Sequence, residues 1–189
     1  MIKIVGIDLA SIEKRASGFC ILKDSFVKTC LLFSNEEIVR ETLKSKPKVV
    51  AIDAPLSLPK KDTYLRGCDK ELLKMKIRFF PLNFGPMKKL TERGIKIKNI
   101  LENYGLEVIE TYPGAAQDIL KIPRKDIKKL REGLIKLGIK GIEKKITKDE
   151  LDAITCALVG KFYLEKNYIA IGDYKEAIMI LPKARKNKQ

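Results

Sequence analysis

Two short runs place a carboxylate where a buried strand should end. "IKIVGIDL" at 2–9 carries Asp8, and "KVVAIDAP" at 48–55 carries Asp53. A third run, "GLEVIETYPG" at 105–114, carries Glu110. A later segment, "TKDELDAITCALVGKFYLEK" at 147–166, adds Asp149 and Asp152, spaced to share one face of a helix. An acid after a strand can simply open a turn, and an acid in a helix's first turn can simply satisfy the dipole. Acids at the carboxyl ends of parallel neighbouring strands instead face a common site. Clustered carboxylates raise one another's pKa unless a cation sits among them. Two divalent ions ~3.5–4 Å apart in such a cluster activate a water and stabilise the leaving oxygen of a phosphodiester. The candidate catalytic set is therefore Asp8, Asp53, Glu110, Asp149 and Asp152. The chain has no histidine, and Cys20, Cys30, Cys68 and Cys156 form no CxxC pair, which argues against zinc. Oxygen ligands point to Mg²⁺ or Mn²⁺.

These acids need a sheet to hold them. Residues 2–9, 18–24 and 26–33 read as three consecutive strands, an antiparallel meander with a turn near Asp24 and Ser25. Ser34 and Glu37 form a capping box that opens a helix ended by Pro47. Strands follow at 48–53 and 106–111. Short helices are expected near 65–77 and 86–103, then at 115–121 and 124–137. Thr147 and Glu150 form a second capping box, which opens the helix over 147–166. The expected architecture is α/β, a mixed five-stranded sheet with helices on both faces. One domain spans 1–182, with a basic helical insertion at about 56–103 and a basic tail at 183–189.

The insertion interleaves Lys and Arg with Tyr64, Phe79, Phe80 and Phe84. Basic groups neutralise phosphates and aromatic rings stack on unpaired bases, although a solvated helical face has the same composition. Candidate substrate contacts are Arg66, Asp69, Lys88, Lys89, Arg93 and Tyr112. Arg66 and Asp69 are equally readable as a surface i,i+3 pair of little worth. Tyr112 lines either the site or its rim. The 189 residues carry 39 basic and 24 acidic side chains, a net charge of +15. Such an excess suits a polyanionic partner, nucleic acid first, or a charge-rich thermophile-like surface. No signal-peptide layout or long apolar run is present, so a cytoplasmic location is expected.

The ordered set "GIDLA" at 6–10, "VVAIDAPLSLP" at 49–59, "RGCD" at 66–69, "VIETYPGAA" at 108–116 and "DELDAITCALVG" at 149–160 resembles one family of predicted nucleases, a domain of unknown function with a ribonuclease H-like fold. The resemblance covers nearly the whole chain. The closing "DxxDA" helix is similar to that of RuvC-type Holliday-junction resolvases. That resemblance implies metal binding by Asp8, Asp53, Asp149 and Asp152, with Asp8 bridging two ions. It implies hydrolysis by in-line attack of water, leaving a 3′-hydroxyl and a 5′-phosphate, with DNA favoured over RNA. Such resolvases often carry a glutamate on the fourth strand and sometimes a histidine on the last helix, where this chain has Asp53 and Lys148-Asp149. Glu110 has no clear counterpart in them. Two other functions remain open: a non-catalytic nucleic-acid-binding module, and an ATPase of the actin or sugar-kinase type, whose first strand resembles "GIDLA". A homodimer is compatible with the sequence.

Overall fold

The computed structural model describes residues 2–60, 63–83 and 85–184. Phe84 and the tail from 185 onward, both named above, lie outside the described residues. The central sheet has seven strands, which corrects the five expected from sequence. Strand β1 (Lys3–Asp8) pairs antiparallel with β2 (Ser17–Lys23), and β2 pairs antiparallel with β3 (Phe26–Leu32). On its other side β1 runs parallel to β4 (Val49–Asp53), and β4 runs parallel to β5 (Val108–Thr111). The two additional strands are β6 (Tyr168–Asp173) and β7 (Ala177–Pro182), an antiparallel hairpin. It joins the sheet through β7 beside β5, giving the order β3-β2-β1-β4-β5-β7-β6. Antiparallel outer pairs flank a parallel centre, so the sheet is mixed.

The central strands are apolar on both faces because helices cover both. Side chains alternate, so Ile4 of β1 and Val49 and Ala51 of β4 share one face. They pack there beneath α4 (Pro113–Ile119), α5 (Ile127–Lys136) and α6 (Lys148–Leu164). Val5, Ile7, Val50 and Ile52 face the opposite way, against α1 (Asn35–Ser45) and α3 (Gly85–Asn103). A third apolar cluster joins Cys68 and Leu72 of α2 (Gly67–Lys74) to Ile171, Met179 and Leu181 of the terminal hairpin. The hairpin therefore anchors the insertion. Glu176, in its turn, accepts hydrogen bonds from the backbone N–H of Lys60 at 2.8 Å and of Gly67 at 2.7 Å.

Both capping boxes form as the sequence predicts. At α1, the Ser34 side chain accepts from the Glu37 N–H while Glu37 accepts from the Ser34 N–H. At α6, Thr147 and Glu150 do the same. Among the described residues, no helix is long and apolar enough to cross a membrane.

Candidate active site

Asp8 and Asp53 close adjacent parallel strands and are direct register partners. Counting alternately from Ile4 and Val49, both carboxylates fall on the face covered by α6. Two glycines bring that helix down onto the strands. A Cβ on Gly6 would lie 2.1 Å from the Ala153 carbonyl oxygen, and one on Gly18 only 2.0 Å from that of Asp149. Gly18 is the β2 register partner of Asp8. The start of α6, with Asp149 in its first turn and Asp152 three residues further on, is thus laid beside the two strand-end acids. Glu150 is occupied elsewhere: it completes the α6 cap and accepts from Thr29 Oγ1 of β3 at 2.8 Å, fixing the helix start to the sheet.

The electrostatics follow from this crowding. Burial raises the pKa of Asp53 well above its usual value, and the charges of Asp8 and Asp152 add to the effect. Asp8 is pushed up to about 7, by burial first and then by Asp152 and Asp149, with Lys148 partly opposing the rise. The contact between the two side chains raises the Asp53 pKa further and lowers that of Asp8, so within the pair it favours the proton on Asp53. Asp152 is turned to other partners. Its Oδ1 accepts from Gln117 Nε2 at 2.7 Å, and its Oδ2 is ion-paired with Lys148 Nζ. The fully buried Gln117 also donates to Thr155 Oγ1 at 2.9 Å, which leaves its own Oε1 without a partner.

The donor set fits a hard divalent cation, since every candidate ligand at the strand ends and helix start is a carboxylate oxygen. Raised pKa values on both are what two buried carboxylates adopt without a cation between them. An orphaned acceptor oxygen, Gln117 Oε1, belongs to a side chain bonded to Asp152. As the side chains stand, no three acidic or sulfur ligands among the described residues form a ready cation cage, because Asp152 faces Lys148 and Gln117. A cation held with Asp152 among its ligands would have to displace Lys148 from that carboxylate.

Glu110 does not join these acids. It pairs in register with Ile52, and Thr111 is the residue opposite Asp53. One residue of offset turns a strand side chain to the other face. There Glu110 is only 4% exposed and forms a bidentate ion pair with Arg66, both contacts at 2.8 Å. It also accepts the Leu56 N–H at 2.7 Å. Arg66 reaches Asp69 through Nε at 3.1 Å and Nη2 at 2.9 Å, and Ser57 Oγ through Nη1 at 3.5 Å. This triad corrects the surface-pair reading: Arg66 and Asp69 are 1% and 3% exposed. Burial disfavours the Arg66 charge, but Glu110 and Asp69 outweigh it and leave its pKa raised. The single guanidinium faces two carboxylates, so burial still leaves the Glu110 pKa raised. All five guanidinium N–H groups have partners, and none is left for a phosphate.

The remaining candidates divide similarly. Arg93 is also a clamp: it donates to Asn35 Oδ1 at 2.8 Å, the Ala10 carbonyl at 2.7 Å and the Phe33 carbonyl at 2.5 Å. It fixes the chain just after Asp8 to the approach to α1. Lys88 and Lys89 are exposed on α3. Tyr112 lines a cleft of about 280 Å³ shared with Asp8, Asp53, Phe79, Phe80 and Met87, and its hydroxyl donates to the Arg78 carbonyl at 2.8 Å. Burial raises its pKa, and the Asp53 charge contributes. The sequence reading did not single out Gln117 or the spacing role of Gly6. Gly18 had a visible signal, a glycine opening an apolar strand, whereas nothing around Gln117 marks it as buried beside an acid.

A mixed sheet with a parallel centre and helices on both faces gives the chain a ribonuclease H-like fold. The structure resembles that of T. thermophilus RuvC in complex with a Holliday junction substrate, with a TM-score of 0.57 at 12% identity. The match covers 94% of this chain and 99% of that one. A second T. thermophilus RuvC structure has a TM-score of 0.49 at 14% identity, over 87% of this chain and 96% of that one. Residues 6–176 match the family described as "Protein of unknown function (DUF429)", and the chain belongs to that family. No curated protein matches the sequence.

Proposed function

We propose that the protein is a metal-dependent nuclease that hydrolyses nucleic-acid phosphodiester bonds, with Mg²⁺ or Mn²⁺ as cofactor and DNA favoured over RNA. The observation that carries this reading is the in-register Asp8–Asp53 pair with the first turn of α6 packed against it through Gly18. Divalent ions, when bound, neutralise phosphate charge and activate water. Asp8 and Asp53 hold the cation side of the site from the sheet. Asp152 and Asp149 close it from α6. Gln117 orients Asp152 through its amide N–H, and Lys148 balances the Asp152 charge while no cation does so. The Arg66–Glu110–Asp69 triad positions the insertion over the strand ends, and Glu110 acts there rather than as a ligand.

A panel of branched DNA, single-stranded DNA, duplex DNA, RNA and RNA–DNA hybrid, incubated with Mg²⁺ or Mn²⁺, tests the proposal. Cleavage of at least one substrate, abolished by chelator, is expected; intact substrates throughout would refute it. The binding-module reading draws on one observation, the Lys148–Asp152 pair, which satisfies Asp152 with no ion present. Calorimetric Mn²⁺ titration separates the two, because a binding module gives no saturable uptake at these acids.

A further inference from the structure

The insertion was expected to track phosphates, but its inner surface is apolar. Phe79, Leu82, Met87, Leu90 and Tyr112 wall the cleft, and its floor is the Arg66 triad, whose donors are all committed. Among the lining side chains no uncommitted N–H is offered to a phosphate, and the two acids at its edge repel one. The volume of about 280 Å³ is room for roughly nine waters at about 30 Å³ each, enough for a planar heterocycle of one or two rings. Aromatic side chains are the surfaces on which unpaired bases stack. Phe80, 68% exposed, also lines it. The wall is held in place, since the Tyr112 hydroxyl is bonded to the Arg78 carbonyl beside Phe79. Asp8 and Asp53 belong to the same lining, so an occupant sits within one nucleotide of the acids.

From this geometry, and resting on the nuclease reading, we propose that the cleft seats one unpaired nucleobase next to the phosphate handled at Asp8 and Asp53. A base still paired cannot enter, because its partner would follow it into the insertion. The substrate class is then a strand that is single at the cut site, or one whose base leaves the stack to be cut.

The test uses full-length Asp8→Asn protein, which keeps the strand intact, and a single-stranded DNA oligonucleotide carrying one abasic residue moved position by position. One position should weaken binding about tenfold, the scale of one stacking contact. Met87→Trp, which fills the cleft, should weaken binding of the intact strand similarly and erase the effect of the abasic residue. Phe79→Ala should act likewise, and if it melts lower, Met87→Trp still decides. Equal abasic effects in both proteins, or effects spread evenly along the strand, would overturn the proposal. Position-specific, cleft-dependent binding without any metal-dependent cleavage by the wild-type protein would keep the base site and sink the nuclease reading. Cleavage by wild type with no cleft-dependent position in Asp8→Asn would do the reverse.

Discussion

At the scale of single residues, Asp8 has a raised pKa because it is buried among like charges, and this makes a signed prediction. A carboxyl group whose pKa rises from 3.8 to about 7 on folding binds its proton more tightly in the folded state. Its stabilising contribution is present below about pH 4, declines as pH rises toward 7 and is gone above that. In chelator, wild type should therefore lose stability relative to Asp8→Asn between pH 4 and 8, and at pH 8 the variant should melt at the same temperature or higher. Paired melting curves check this; a gap that does not change with pH would show that Asp8 is an ordinary turn acid. Arg66 gives the opposite case. Arg66→Met leaves Glu110 and Asp69 buried without their cation and should cost about 3–5 kcal/mol by denaturant titration. Exposed Lys88→Ala should stay within about 0.5 kcal/mol. The placement of Asp8, Asp53, Asp149 and Asp152 at two strand ends and one helix start was legible because an acid closing an apolar run, or following a helix cap, stands out in one dimension. Glu110 misled because the offset between β4 and β5 is set by pairing: a one-residue difference in register sends it to the other face, where it meets Arg66.

At the scale of elements, the site depends on how closely α6 approaches β1 and β2. A methyl group on Gly18 meets backbone, the Asp149 carbonyl, and no rotamer change can relieve it. Gly18→Ala should destabilise the protein by about 1–3 kcal/mol and, by lifting the first turn of α6, weaken Mn²⁺ uptake. Gly85→Ala, where an added Cβ meets nothing within 4 Å, should be neutral or slightly stabilising. Calorimetric unfolding of the two variants checks the contrast, and equal losses would contradict it. The meander, both capping boxes and the long last helix were readable from local pattern and cap chemistry. The β6–β7 hairpin was not: β6 is an outer strand with partly exposed side chains, and it is recruited by packing of α2 against Ile171 and Met179. The cleft was unreadable for the same reason, since its wall combines the insertion, α3 and the residue after β5.

At the scale of the whole molecule, the net charge of +15 is not concentrated in the cleft. Lys128, Lys129 and Lys136 of α5 and Lys140, Lys144 and Lys145 ahead of α6 are all exposed. Arg131 ties the two segments together through the Ile142 and Glu143 carbonyls. On the proposed reading these lysines meet backbone phosphates while the cleft takes a base. Nucleic-acid affinity should fall steeply with salt, and Lys144→Ala with Lys145→Ala should lower the log–log slope by about one for each phosphate no longer neutralised. A slope unchanged in the double variant would assign the charge to surface solvation alone. The central claim, that the paired strand-end aspartates hold a catalytic cation site, is tested most directly by single-turnover cleavage of a bound nucleic acid in Mn²⁺, wild type against Asp8→Asn. The account predicts cleavage by wild type and, with several kcal/mol of transition-state stabilisation removed, a loss of about a thousandfold or more in the variant while binding persists. Equal cleavage by the two proteins, or no cleavage by wild type, would contradict it.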